Sequence, residues 1–407
     1  MKIQRLSHCP VQVFLFLLFS SLVLSQAVSG QTDPFPTASP ESQGVEPSVL
    51  GALTGLVEEW VEEDRIVGAE LLVIKNGRAI LHRPFGLRDR EQQLVMERNT
   101  VFNIRSMTKP LVGMAILMLV EDGQLSLEDR VATVLPAFRH DGAARITVDQ
   151  LLTHRSGLPV SLAFDLGNRG QNLQELAAVI GAAGPESEPG TRFNYSDAGA
   201  NVLAALVEEV SGLTLDEFLR SRVFGPLHMD DTDFLTQVSG RGLPMERIAT
   251  LYGGASGAWQ RFWGPDEDPV YAFPMGSQSV FTTPVDYARL FLVWLDRGLF
   301  AGRAVLSEES IRRILTPLSL MTLIGSEQPY PTAFPGLEVW HGRMALLFRS
   351  PDSPADVPPV AFGYAGSDGH PRADGLQPQR ARQRRLDEVH AFRPGGCPIS
   401  RGAIGRH

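Results

Sequence analysis

Strand-like patterning is confined to the two ends of this chain, and helical periodicity fills its middle. Near the N-terminal end, Ala69–Ile74 and Arg78–His82 read as two strands joined by Asn76-Gly77, a pair that tolerates the positive φ of a tight hairpin. From Leu337 onward, Met344-Ala345-Leu346-Leu347-Phe348 and Val360-Ala361-Phe362-Gly363-Tyr364 are again strand-like. Ahead of the hairpin, Leu50, Leu53, Leu56, Val57, Trp60 and Val61 fall at helical spacing within Pro47–Glu63. Residues 171–237 read as helical apart from a turn at Pro185–Gly190, and Pro284–Asp296 and Ser307–Leu315 read as two more helices. Such an order predicts an α/β protein of the α+β kind. Its antiparallel sheet is flanked by helices and built from both chain ends, with a large helical region inserted at about 125–315.

A chain of 407 residues, 43% of them hydrophobic, has material for a sizeable core. The formal net charge of −9 argues against nucleic acid as a partner, because phosphate-binding surfaces are basic. Lys2 and Arg5 precede an apolar run, Val11–Leu24, and small residues follow up to Gly30. This pattern predicts a secretory signal peptide over 1–30, cut near Ala27 or Gly30, and hence a secreted or periplasmic protein. The run is short for a lasting anchor, and no other segment reads as a membrane span. Residues 31–45 read as a linker. Only Cys9 and Cys397 are present, so cleavage leaves one cysteine and no internal disulfide.

The chemistry points to Asn103-Ile104-Arg105-Ser106-Met107-Thr108-Lys109, which heads the apolar run Leu111–Leu119. A serine and a lysine three apart lie on one face of a helix. A hydroxyl becomes nucleophilic when something takes its proton, and a buried Lys109 kept partly neutral by desolvation would serve. The helix start adds free N–H groups for an oxyanion. Alone the motif is weak, since Ser-x-x-Lys arises by chance and an ordinary capping serine fits it equally. Two further stretches strengthen it. Phe193-Asn194-Tyr195-Ser196-Asp197 follows a turn at Pro189-Gly190 and precedes a helix at Ala200–Val210, offering Tyr195 as a general base. Phe362-Gly363-Tyr364-Ala365-Gly366-Ser367-Asp368-Gly369 has glycines that let backbone approach a substrate.

Taken in order, Ser106-Met107-Thr108-Lys109, Tyr195-Ser196-Asp197 and Tyr364-Ala365-Gly366 make the chain resemble the serine hydrolases of the penicillin-binding-protein and class C β-lactamase superfamily, in their esterase-like branch. The resemblance extends from about Glu46 to Gly369, giving a hydrolase domain over 46–369 of the β-lactamase/transpeptidase-like fold. It implies Ser106 as nucleophile, with Lys109 and Tyr195 sharing the proton traffic. The backbone N–H groups of Ser106 and Ser367 would form the oxyanion hole. Asp197, Tyr364, Ala365 and Gly366 would contact or frame the substrate. It implies no cofactor and no metal. Asp197 stands where many relatives have asparagine; an ionised carboxylate cannot donate a hydrogen bond, so its expected role is to orient Lys109 by charge. Tyr364 stands where β-lactamases carry the lysine that holds a substrate carboxylate. Neutral esters or amides are therefore the expected substrates, ahead of a lactam or a D-Ala-D-Ala peptide. A different class also fits: a catalytically weak binding module, or a degenerate truncated homologue.

Other features have plainer readings. His154, in Leu151-Leu152-Thr153-His154, reads as a hydrogen-bonded structural histidine rather than a catalytic one. Asp230, Asp231, Asp233 and Asp266, Glu267, Asp268 lack calcium-loop spacing and read as solvated surface. The glycosylation pattern at Asn194 overlaps the expected site and reads as coincidence. Trp259, Phe262 and Trp263 could line an acyl pocket or serve as lid or core packing. Beyond Pro371 come eight arginines against Asp374, Asp387 and Glu388, with no helix or strand period. Residues 370–407 thus read as an aberrant basic tail, disordered or produced by loss of reading frame just after Gly369. A polyanion-binding arm is the rival reading. If no family-like strands lie in another frame of the genomic DNA, the frameshift reading fails.

Overall fold

A computed structural model of the protein describes residues 35–160, 172–239, 242–322, 328–330, 336–354 and 357–365. The expected signal peptide, the tail over 370–407, Gly366 and Ser367 lie outside the described residues.

In chain order, α1 (Pro47–Glu62) leads into β1 (Gly68–Lys75), β2 (Arg78–Asp89) and the two-residue β3 (Leu94–Val95). Asn76 and Gly77 take φ of 52° and 69°, so the turn forms as the dipeptide predicts, and β1 pairs antiparallel with β2 from Lys75↔Arg78 to Gly68↔Gly86. Next come β4 (Phe102–Asn103), α2 (Lys109–Glu121), α3 (Val148–Leu152), α4 (Leu173–Ala183), α5 (Asp197–Ser211) and α6 (Leu215–Leu219). They are followed by β5 (Asp233–Phe234), β6 (Val280–Thr282), α7 (Pro284–Leu295) and α8 (Glu308–Ile314). The chain closes on β7 (Ser319–Leu320), β8 (Glu338–His341), β9 (Leu346–Arg349) and β10 (Ala361–Gly363), hydrogen-bonded in that order. Both ends therefore supply antiparallel strands and the middle supplies helices. Among the described residues the two ends form separate ladders, with β1 and β10 at their edges.

Among the described residues the middle holds short ladders that periodicity did not reveal, one of them three-stranded. β6 takes β4 on one side and β5 on the other, with Phe102↔Thr282 and Asp233↔Phe281 in register. Strands of two or three residues are too short to display a period of two. This ladder aims the segment leading to Ser106, since Ile104 N–H donates to the Val280 carbonyl at 3.0 Å.

Helix α2 is the centre of the core. Every residue from Lys109 to Leu119 is buried, as a helix apolar on all sides must be. It packs against α5, whose residues from Ala198 to Val207 are buried too. The turn between β8 and β9 closes on it from the other side: a Cβ on Gly113 would lie 2.9 Å from Met344. Met344 N–H also donates to the Leu152 carbonyl at 3.0 Å, so the C-terminal sheet is tied to the end of α3.

Helix termini follow local chemistry with two corrections. Thr147 caps α3 in a reciprocal box with Gln150, as expected. The helix ends at Leu152, however, and Gly157 does not stop it. Gly157 (φ 75°) instead serves a turn against Ser187, whose carbonyl a Cβ would meet at 2.1 Å. Helix α5 begins at Asp197, earlier than Ala200, because Ser196 Oγ accepts the Gly199 N–H at 2.9 Å and caps it. No single helix among the described residues is long and apolar enough to cross a membrane.

Candidate active site

The Ser106 turn is pinned before it meets any partner. Arg105–Thr108 forms a short 3-10 turn that runs directly into α2. Buried Tyr287 of α7 donates its hydroxyl to the Met107 carbonyl at 2.8 Å, and Thr108 Oγ1 accepts the Val280 N–H at 3.4 Å. Arg105 holds φ 47°, uncommon for a residue with a side chain, and its N–H is taken by Asn103 Oδ1 at 3.2 Å. The Ser106 N–H has no hydrogen bond among the described residues.

Around this turn four expected residues come together. Ser106 Oγ lies 3.0 Å from Lys109 Nζ and 2.9 Å from Tyr195 Oη. Lys109 is fully buried, and three oxygens surround its ammonium: Ser106 Oγ, the Ser277 carbonyl at 3.0 Å and Asp197 Oδ1 at 2.6 Å. Tyr195 presents its ring face to the same nitrogen, 4.9 Å from the centroid.

These neighbours decide the protonation of Lys109. Burial works to lower its pKa, but Tyr195 and Asp197 outweigh it and the net shift is upward. The expectation of a partly neutral lysine fails here, because desolvation without a nearby carboxylate is what neutralises a lysine and Asp197 supplies one. Tyr195 and Asp197 thus favour the ammonium form of Lys109. The carboxylate of Asp197 pairs with Lys109.

Tyr364 stands at the end of β10, half-buried, its ring 6.3 Å from that of His341. Its hydroxyl is enclosed beside Tyr195 and meets no described group at good hydrogen-bond geometry. Burial first, then Tyr195 and Asp197, push that hydroxyl well above its usual pKa of 10. Ala365 beside it is exposed.

Two residues absent from the sequence reading complete the arrangement. Ser277 directs its carbonyl at Lys109 because its own N–H donates to Asn201 Oδ1 at 3.0 Å. Asn201 sits one turn beyond Asp197 on α5, fully buried in an otherwise apolar stretch. A polar residue four positions after Asp197 was the available signal.

The remaining features take plain places. Asp231 pairs with Arg247, Asp233 with Arg220 and Asp266 with Arg261, and no described group of three or more His, Cys, Asp or Glu could hold a metal. Trp263 is buried and Trp259 donates to the Asp64 carbonyl, whereas Phe262 is exposed with the Arg105 guanidinium 5.8 Å from its ring. Of that trio only Phe262 adjoins the Ser106 turn. Asn194 donates its side-chain amide to the Leu158 carbonyl at 3.1 Å.

A family model described as Beta-lactamase matches residues 53–372. Protein flp of Staphylococcus aureus (strain N315) is 29% identical over 184 residues, 44% of this chain but 37% of that protein's length. Protein Rv1367c of Mycobacterium tuberculosis (strain ATCC 25618 / H37Rv) is 27% identical over 336 residues, covering 76% of this chain and 81% of that one. Among solved structures, EstCE1, a hydrolase with promiscuous acyltransferase activity, aligns with a TM-score of 0.61 at 23% identity, covering 74% of this chain and 83% of EstCE1. D-amino acid amidase from Ochrobactrum anthropi SV3 aligns at 0.59 and 24% identity, over 75% and 83% of the two chains. At those identities the structural likeness concerns the fold.

Proposed function

From the premise that the chain belongs to the beta-lactamase family of hydrolases, we propose that it is an exported serine hydrolase that cleaves neutral esters or amides through an acyl-enzyme on Ser106. One observation carries this reading: Ser106 Oγ lies within 3.0 Å of both Lys109 Nζ and Tyr195 Oη. With Lys109 holding its own proton, the base is assigned to Tyr195: in its deprotonated form its oxygen takes the proton of Ser106, and the Lys109 ammonium offsets the charge. Ser106 Oγ bonds to the substrate carbonyl carbon while the Ser106 N–H steadies the oxyanion. The bond to the leaving group then breaks, and Tyr195 returns the proton to the departing oxygen or nitrogen. Water attacks the acyl-enzyme next; Tyr195 takes its proton and hands it to Ser106 Oγ as the acid leaves.

Tyr364 favours neutral substrates. A penicillin or a D-Ala-D-Ala peptide brings a carboxylate, and an aromatic hydroxyl offers it far less than a lysine does. The N-terminal segment supports export, which sequencing of the mature N-terminus tests.

The activity is tested with a fluorophosphonate probe, a fluorescent penicillin and a short-chain nitrophenyl ester, followed by adduct mapping. Ester turnover with the probe on Ser106 is expected. Labelling by penicillin in place of ester turnover transfers the reading to a β-lactamase or carboxypeptidase. Folded protein with no adduct overturns both and leaves a binding module.

A further inference from the structure

His154 is fully buried directly behind Tyr195 and holds it from three directions. Its carbonyl accepts the Asn194 N–H at 2.7 Å. Its Nδ1 lies 3.2 Å from the Ser196 backbone nitrogen, whose N–H only donates, so Nδ1 is the acceptor. Its ring stacks at a tilt on that of Tyr195, centroids 4.6 Å apart. One residue therefore grips the backbone on both sides of Tyr195 as well as the ring between. It does so from φ 52°, in the left-handed region that residues with a side chain seldom enter, histidine more often than most.

This grip fixes the chemical form of the imidazole. With Nδ1 accepting, the proton sits on Nε2, which is enclosed without a hydrogen-bond partner among the described residues. The next ring, His341, lies 4.6 Å away and has the opposite form. Its Nδ1 is 2.7 Å from the Gly342 carbonyl, which only accepts, so His341 carries its proton there and keeps a lone pair on Nε2.

We propose that His154 is a positioning residue for catalysis, whose neutral Nε2-protonated imidazole sets Tyr195 Oη against Ser106. It acts through Tyr195 and does not touch the substrate. The inference rests on Tyr195 as the proton carrier of the proposed reaction. A packing role alone would be met by phenylalanine; the acceptor for the Ser196 N–H would not. A second proton would turn Nδ1 into a donor facing a donor. It would also place a cation beside the Lys109 ammonium and against the rings of His341 and Tyr195. Burial first, and then His341 and Lys109, hold His154 well below the usual histidine pKa.

Three substitutions and one spectrum test this. His154→Asn keeps an acceptor at the δ position and tolerates positive φ, and is expected to hold kcat for a nitrophenyl ester within about threefold. His154→Phe keeps a ring and loses the acceptor; kcat is expected to fall about 100-fold with KM little changed, as sub-ångström misplacement of a catalytic group does. Near-UV circular dichroism checks that both are folded. In the wild type, 15N NMR should show the His154 proton on Nε2 and a bare Nδ1. Equal kcat in the phenylalanine and asparagine variants, or a protonated Nδ1, overturns the proposal, and the spectrum decides alone if the phenylalanine variant does not fold. Tyr195→Phe is assayed alongside. If it keeps activity, the proton-carrier reading has failed; if it is inactive while His154→Phe matches the wild type, only the positioning role has failed.

Discussion

Lys109 Nζ and Asp197 Oδ1 stand 2.6 Å apart, the lysine fully buried and the carboxylate nearly so. That pair is what keeps a cation beneath Ser106. Asp197→Ala would leave the ammonium buried and uncompensated, which costs about 3 kcal/mol. Asp197→Asn keeps an oxygen toward Lys109 without the charge and should cost less. Urea unfolding of the three proteins at pH 7 checks the order wild type, asparagine, alanine. Equal stability of wild type and alanine variant would mean that Lys109 is neutral in the fold.

His341 makes the folded protein sensitive to acid. Burial and the Lys109 charge outweigh its bond to the Gly342 carbonyl and bring its pKa down to about 4. The unfolded chain binds that proton near 6.5 and the folded chain only near 4. Its contribution is therefore complete above pH 6.5 and drains away as pH falls toward 4, by roughly 3 kcal/mol in all. His154 adds in the same direction. Urea midpoints at pH 7.5 and 4.5 measure the loss, and His341→Asn should flatten it. An unchanged pH slope in that variant would contradict the buried neutral imidazole.

Tyr364 carries an enclosed hydroxyl that meets no described group at good hydrogen-bond geometry, Tyr195 beside it included, a condition that costs the folded protein free energy. Tyr364→Phe should therefore stabilise the protein by about 1 kcal/mol. If that hydroxyl finds its partner in the substrate, the same change raises KM for a neutral ester about threefold to tenfold with kcat little altered. Thermal unfolding and steady-state kinetics on one preparation report both effects. A stability gain with unchanged KM would remove Tyr364 from substrate binding.

Much of the fold and half of the site were legible because their signals are local. Asn76-Gly77 marks its hairpin, Thr147 its cap, and Ser106 and Lys109 share a helical face by spacing alone. Tyr195 and Asp197 became readable through the order of three motifs. What the sequence could not yield depends on atoms brought from far along the chain. The protonation of Lys109 is decided by Tyr195 and Asp197, 86 and 88 positions away. The last carbonyl of α3, on Leu152, is taken by Met344, and the grip of His154 on Ser196 joins residues 42 positions apart. Desolvation read without its partners gave the wrong sign for Lys109.

Gly276 is where packing and chemistry meet most closely. A Cβ there would lie 2.5 Å from both the Ala200 carbonyl oxygen and Ala204 Cβ, so α5 approaches this loop only because the side chain is absent. Gly276→Ala must push the loop away from α5, at a cost of about 1–3 kcal/mol. The next residue is Ser277, whose N–H on Asn201 aims its carbonyl at Lys109. The shift should therefore loosen one of the three oxygens around the ammonium and lower kcat about 10-fold to 100-fold. Gly253→Ala, where a Cβ meets nothing within 4 Å, is the control and should leave kcat unchanged. Loss of stability in Gly276→Ala with full kcat would show that Ser277 does not govern how Lys109 is held.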